Sequence, residues 1–511
     1  MVSLFLPDQP LSYAEVLELP EPAFFRDINL DQYAERISAY YGDDEIKQYF
    51  KVTCGTFEGA KYRQEIVKDL MTPSIRDAVT SFIAKIGEAV TCRQCAENVT
   101  VNVQKCKWYV DCVTAYYQAM EDLCVEFNTT PPKSRAFYAL HQDLFHTLNT
   151  AGVKRLRETA GQLKGEFAKM RFHLTINKEK TTFDLAYNFE DYCAPIRSSL
   201  ARTMQYEDFV PFRESPFPSM ELSPLETFIL KQLEKENRQA FLQLEAFGNR
   251  GPKVIEQEVL DLLKELKFYI CNLEYMDRVK EWGVPLTMPL IVKDKELYMD
   301  DCYDIVLALN NMESDREVVL NDIMKANFEK AIIVTGPNQG GKTTLARAFG
   351  QCFYFGMMGL PVPAGVCKLP YCSGIHTHFA NEEGTEGLEG RLHNEIVRIR
   401  EMLEDLDNRS VVIMNELFTS APTADALTMS RDLLKRLLSR NAICFYVTHT
   451  FEIAFDSDDY VSLVATVVED GSYRRTYRIV RKRADGAAYA NSIVSKYKLD
   501  YSHINYRLGR R

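Results

Sequence analysis

No apolar run in this chain approaches the roughly 18 residues that a membrane-spanning helix needs, so a membrane span is not expected. Basic charge is not in excess either: 61 Lys and Arg stand against 72 Asp and Glu, a formal net charge of −11. That excludes a surface coated in cations for nucleic acid, although it leaves room for a local basic groove. The opening stretch MVSLFLPDQPLSYAEVLELPEP lacks the basic lead of a secretory signal and carries acids early, so a cytoplasmic protein is expected. There is no internal repeat and no low-complexity tract. The 13 cysteines are scattered, which is the pattern of reduced thiols rather than a disulfide framework. Cys92-Arg93-Gln94-Cys95 is a lone pair, and Cys106 and Cys112 do not supply the second pair that a zinc site wants. The two cysteines are read as neighbours on one helical turn.

What is present is an ordinary globular composition, 46% hydrophobic and 26% charged, in a chain of 511 residues. That length exceeds one core and predicts roughly two to four domains. The first half reads as helical. Trp108, Val113, Tyr116 and Leu123 recur at helical spacing and are expected in a core. Arg135 to Lys169 is helical with an interruption near Ala151-Gly152. Arg171–Ile176 and Thr182–Ala186 then alternate around Asn177–Lys180, which predicts a hairpin, with His173 a plain strand residue. An irregular, proline-punctuated stretch follows to about Leu222. Ser223-Pro224-Leu225-Glu226 opens a helix with a capping box, predicted to run to Phe247 and to stop at Gly248–Pro252. A second helix is expected from about Val254 to Trp282. Helices of about 25 residues span roughly 37 Å, the scale of a lever arm or of a plain bundle. Beyond Pro285 strands and helices alternate, as in an α/β domain. The division expected is therefore a helical region over 1–284, with a small insertion at about 171–222, and an α/β nucleotide-binding domain over 285–511.

The chemistry concentrates in that second region. Ala331–Val334 is a short β-branched run, and Gly336-Pro337-Asn338-Gln339-Gly340-Gly341-Lys342-Thr343 fits G-x-x-x-x-G-K-[ST] at every fixed position. Helix-forming residues follow Thr344. Strand, glycine loop and helix are the order a phosphate cradle needs, with backbone N–H groups and the helix N-terminus facing the phosphates. In such a loop Lys342 reaches the β- and γ-phosphates of ATP and the Thr343 hydroxyl sits on Mg²⁺. Two more apolar strands end in polar residues. Ser410–Met414 delivers Asn415-Glu416, which places both by the metal and Glu416 where the general base belongs. Ala442–Val447 delivers Thr448-His449, with His449 placed to donate to a γ-phosphate.

At these residues the chain resembles the MutS family of DNA mismatch-repair ATPases. TGPNQGGKTTLARA is similar to that family's TGPNMGGKST loop, and Asn321-Asp322-Ile323 resembles its NDI. Asn415-Glu416 falls on the family's Asp-Glu pair, Asp425-Ala426 on the Asp-Gly that follows, and Thr448-His449 with Phe451-Glu452 on its THYxEL. Tyr489–Leu499 is similar to the close of the ATPase domain. The resemblance implies an ABC-type P-loop NTPase domain behind a helical core and lever with a shortened clamp. It also implies ATP and Mg²⁺ as ligands, and a homodimer that sandwiches nucleotide between its ATPase domains. The chain departs from the pattern in four places. A segment like the mismatch-reading domain with its Phe-x-Glu wedge is not expected, nor is a helix-turn-helix appendage. The signature Ser-Thr-Phe stands here as Gly390-Arg391-Leu392 before Glu395, with Arg391 the candidate substitute. Asn415 replaces an aspartate, so hydrolysis that is slow or demands high Mg²⁺ is expected.

Two functions fit. One is a DNA-associated dimeric ATPase of repair or recombination type, with closure on ATP moving the helical lever; mismatch-specific binding is not expected. The other is a nucleotide-dependent protein-assembly switch that does not bind DNA. The run Arg474-Arg475, Arg478, Arg481-Lys482-Arg483 is read as an exposed strand face, with phosphate contact as its alternative. A chromosome-maintenance ATPase fits poorly, because only Gly350–Arg409 separates the loop helix from the acidic strand, which leaves no space for a long coiled coil.

Overall fold

The computed structural model describes residues 3–6, 11–53, 55–176, 181–185, 222–249, 255–314, 316–379, 388–468, 475–484, 499, 504, 505 and 507. The hairpin turn at 177–180, most of the expected clamp (186–221), Arg474 and the tail from Tyr489 up to 498 lie outside the described residues. Compactness divides the chain into two units. One comprises Met1–Arg76, Pro132–Ala139 and Asp261–Arg511; the other comprises Asp77–Pro131 and Leu140–Leu260. This differs from a division at 284/285. The reason is apolar contact within the first unit. Phe24 and Phe25 lie against Tyr354, and Tyr33 meets Phe355 with ring centroids 5.0 Å apart. The N-terminal helices thus bury their aromatic faces on the helix that follows the glycine loop.

In the helical unit the aromatic stripe is core: Trp108, Val113, Tyr116 and Leu123 of the helix Asn102–Thr129 are all buried. A neighbouring helix, Arg238–Gly248, comes close because its last residue lacks a side chain; a Cβ at Gly248 would lie 2.5 Å from the Cβ of Cys106. Cys92 and Cys95 share the helix Pro73–Asn98, and burial pushes the Cys92 thiol up to about 12. The hairpin is present as β1 (Phe172–Ile176) and β2 (Thr181–Leu185), paired antiparallel with Phe172 opposite Leu185. The capping box at Ser223 and Glu226 forms. The single helix expected from it does not. It is two, Pro224–Glu236 and Arg238–Gly248, broken at Asn237 with φ −120° and ψ 37°. The Asn237 side chain donates to the Leu233 carbonyl at 3.1 Å, the local competition that makes asparagine a poor helix-interior residue. The long helix that follows runs Gln257–Glu281.

The first unit contains two sheets. The smaller orders its strands β3 (Leu290–Val292), β7 (Val366–Pro370), β4 (Leu297–Cys302) and β5 (Asn321–Lys325), with α1 (Ile305–Glu313) between β4 and β5 in the chain. The larger has six strands in the order β12-β11-β6-β10-β9-β8. They are β6 (Ala331–Thr335), β8 (Ile375–Phe379), β9 (Val411–Asn415), β10 (Ile443–Val447), β11 (Tyr460–Val467) and β12 (Arg475–Arg481). Only β12 is antiparallel to its neighbour. Because β6, β9 and β10 are buried on both faces, they read as unbroken apolar runs. On one face α2 (Lys342–Met357) stacks Phe349 on Phe445 at 4.5 Å. On the other, α3 (Leu388–Glu404) and α4 (Thr423–Ser439) bury Ile399, Leu433, Leu434 and Leu437 against Ile333, Met414 and Tyr446. Each such side chain contributes about 1.5–3 kcal/mol on leaving water. The result is an α/β layering with the glycine loop at the end of a central parallel strand.

Candidate nucleotide site

Register brings the site together. Val447 pairs with Val334 on one side and with Asn415 on the other, so β6, β10 and β9 end abreast. What each strand delivers must then share one edge: the loop after β6, Glu416 after β9 and Thr448-His449 after β10. The Thr448 N–H donates to the Val334 carbonyl and the Glu416 N–H to the Val447 carbonyl, at 3.0 and 2.9 Å, fixing the three crossings.

The loop turns on left-handed backbone at Gly336 (φ +122°), Gln339 (+58°) and Gly341 (+91°). Gly336 is further constrained by β11, since a Cβ there would lie 2.9 Å from the backbone nitrogen of Ala465. Lys342 opens α2 with its side chain buried. Its ammonium donates to the carbonyls of Gly336 and Pro337, 3.0 Å each, and one N–H remains for a phosphate oxygen. Burial holds the Lys342 ammonium below its ordinary value, Glu416 opposes that shift, and Arg475 adds to it. Asn338 offers its carbonyl to the Arg475 guanidinium at 2.7 Å.

Beyond the loop, the Thr343 hydroxyl donates to the Asn415 side-chain oxygen at 3.1 Å. Glu416 sits in left-handed backbone at φ +56° and takes His449 Nε2 at 2.8 Å. The His449 hydrogen bond, and then the charges of His449 and Lys342, hold the Glu416 carboxyl below the usual range while burial works the other way. Gln339, Gly340, Gly341, Lys342, Thr343, Thr344 and Glu416 line one cavity of about 480 Å³. Gly336, Pro337, Asn338, Asn415 and His449 do not line it; Gly336 and Pro337 are tied to it through Lys342, Asn415 through Thr343 and His449 through Glu416. Arg391 has no described side chain.

The cavity also extends where sequence reading did not place it. Val318 and Val319, just before β5, and Tyr477 of β12 line it as well. Asn321 holds that wall: its side-chain nitrogen donates to the Tyr477 carbonyl at 3.2 Å and its oxygen accepts the Ile479 N–H at 2.7 Å. Asn321 carried a signal, because it belongs to the NDI resemblance. Tyr477 carried none, since it lies in a stretch read only as an exposed basic strand. That reading of the strand agrees with the exposed Arg475, Arg478 and Arg481, although Arg481 pairs with Glu329.

The family model described as MutS domain V matches residues 332–496, which contain the loop, Glu416 and His449. DNA mismatch repair protein MSH3 of Arabidopsis thaliana is 27% identical over 215 residues, 40% of this chain and 19% of that protein. Endonuclease MutS2 of Streptococcus uberis is 26% identical over 223 residues, 43% of this chain and 27% of that protein. Endonuclease MutS2 of Streptococcus equi is 25% identical over 198 residues, covering 38% and 24%. The matched stretch is thus about a quarter or less of these relatives' length. Among the described residues no helix is long and apolar enough to cross a membrane. The MutS domain V match falls on the strands and loop that build this cavity, so residues 332–496 belong with the MutS domain V family.

Proposed function

We propose that this protein binds and hydrolyses ATP at the described cavity and uses the cycle to rearrange its helical region. The observation that carries this reading is the convergence of Lys342, Thr343, Asn415, Glu416 and His449 at the ends of three adjacent parallel strands. The triphosphate lies along Gly336, Pro337, Asn338, Gln339, Gly340 and Gly341, with Lys342 and the α2 N-terminus supplying positive charge. Thr344 adds its backbone N–H. The base lodges toward Val318, Val319 and Tyr477.

The residues present fit Mg²⁺: the Thr343 hydroxyl and the Asn415 amide oxygen are hard oxygen donors held within 3.1 Å of each other beside Glu416. When bound, the ion neutralises charge on phosphate oxygens. Glu416 is ionised at neutral pH and can accept the proton of an attacking water. His449 keeps that carboxylate aimed and stands ready to donate to the phosphate side. An amide at 415 in place of a carboxylate attracts the ion less, so turnover is slow or requires high Mg²⁺.

DNA association in repair or recombination is the setting proposed, supported by the relatives named above, with a homodimer that closes on ATP through its ATPase domains. Closure can do work only if ATP binds the closed state more tightly than the open one. A cytoplasmic location and no membrane association complete the reading, and mismatch-specific binding is not part of it. A protein-assembly switch without DNA is the second reading, favoured by the net charge of −11. Particle mass measured with and without ATP and duplex or branched DNA, at two salt concentrations, separates them. A DNA-bound dimer that dissociates steeply with salt supports the first reading. ATP-dependent assembly indifferent to DNA supports the second.

A further inference from the structure

The turn that carries Glu416 is held from outside the nucleotide cavity. Glu416 and Phe418 both take left-handed backbone, φ +56° and +58°, where a residue with a side chain is strained. Such strain persists only where the surroundings over-determine it. The Glu416 N–H is fixed by the Val447 carbonyl. The Phe418 N–H donates instead to a side chain, Glu395 Oε1 on α3, at 2.9 Å. His378 Nε2 on β8 lies 3.6 Å from that same oxygen, and the His378 and Glu395 side chains are only 4% and 12% exposed. The ring of Phe418 and the side chain of Leu417 sink into the apolar cluster against which Leu392 of α3 also packs. The turn is therefore gripped by α3 twice, once through carbon contacts and once through a carboxylate.

We infer that Glu395 is a positioning residue for hydrolysis: it accepts the Phe418 N–H, fixes the strained Glu416-Leu417-Phe418 turn, and so sets the aim of the Glu416 carboxylate. Losing the acceptor leaves the Phe418 N–H without this partner and frees the turn to relax toward ordinary backbone. Through α3 the same contact joins Glu416 to residues 390–392. This inference rests on Glu416 being the base.

An isosteric pair tests it. Glu395→Gln keeps a carbonyl acceptor, whereas Glu395→Met fills the same volume with none. Steady-state ATP hydrolysis, equilibrium binding of ATP in EDTA and melting temperature are read for both, with Glu416→Gln measured in parallel. Glu395→Met is expected to lower kcat about 30-fold, equivalent to about 2 kcal/mol of activation free energy, with ATP affinity within about twofold of the parent. Glu395→Gln is expected to stay within about threefold of the parent in kcat. The inference is overturned if Glu395→Met turns over within threefold of the parent. It is overturned equally if both variants fall together, or if Glu395→Met loses affinity or its fold in step with kcat. Were Glu416→Gln to hydrolyse at the parent rate, the assignment of the base would fail instead, whatever Glu395 does.

Discussion

Replacing His449 by alanine removes the N–H that Glu416 accepts at 2.8 Å. A hydrogen bond to a charged group is worth about 1.5–3 kcal/mol. With the two side chains 37% and 31% exposed, solvent screening leaves about 1 kcal/mol. That bond is the largest influence holding Glu416 below its ordinary 4.5. A carboxyl depressed in the folded state stabilises the protein above its unfolded value, and the contribution is lost as pH falls through the folded value. His449→Ala therefore melts below the parent at pH 7, by about 1–2 °C for about 1 kcal/mol in a unit of this size. The gap closes as pH drops below 4.5. In hydrolysis the same loss shows as an acid limb of kcat/KM displaced to higher pH, because Glu416 then takes up its proton sooner. Melting curves and pH–rate profiles on the same samples decide the matter. An acid limb that stays in place, or a melting gap equally wide at pH 4 and pH 7, refutes the coupling of these two side chains.

Three further outcomes follow from the geometry. Lys342→Ala lowers turnover by about 100-fold or more, read in a phosphate-release assay, because it removes the ammonium N–H left for a phosphate oxygen once Gly336 and Pro337 are bonded. Asn415→Asp reduces the Mg²⁺ concentration for half-maximal turnover about tenfold, since an ionised acceptor binds about twice as strongly as a neutral one; an unchanged Mg²⁺ dependence counts against the metal role of position 415. Glu265 is buried beneath Ser3 and Leu4, whose hydroxyl and N–H it accepts, and burial pushes its carboxyl up to about 7. A raised carboxyl stabilises the fold below its unfolded value and loses that contribution as pH rises through 7, about 3 kcal/mol at 1.36 kcal/mol per pH unit. Denaturant melts should show stability falling from pH 5 to pH 8 in the parent and a flatter course in Glu265→Gln.

The legible parts of this fold are those whose signal is local. A β-branched run ending in Gly336 and resuming at Lys342 announces strand, loop and helix, because periodicity and glycine placement act within a few residues. Asn415-Glu416 and Thr448-His449 were readable as strand ends for the same reason, and their meeting followed once three parallel strands were placed side by side. The break at Asn237 is hidden because a capping box and an amphipathic pattern both argue for continuity, while the competing side-chain bond to Leu233 is a matter of a single residue. Tyr354 and Phe355 gave no hint that Phe24, Phe25 and Tyr33, some three hundred residues earlier, would cover them; apolar side chains specify burial, not partner. The left-handed turn at Glu416 and Phe418 was equally silent, since neither is a glycine and the compensating acceptor sits on another helix. Tyr477 entered the cavity wall through strand register alone.

The most direct measurement is the fate of ATP bound to Glu416→Ala, followed by equilibrium binding and single-turnover cleavage on one sample. The nucleotide is expected to be held with the affinity of the parent and left uncleaved over many parental turnovers. Cleavage at the parental rate, or loss of binding along with cleavage, contradicts this reading.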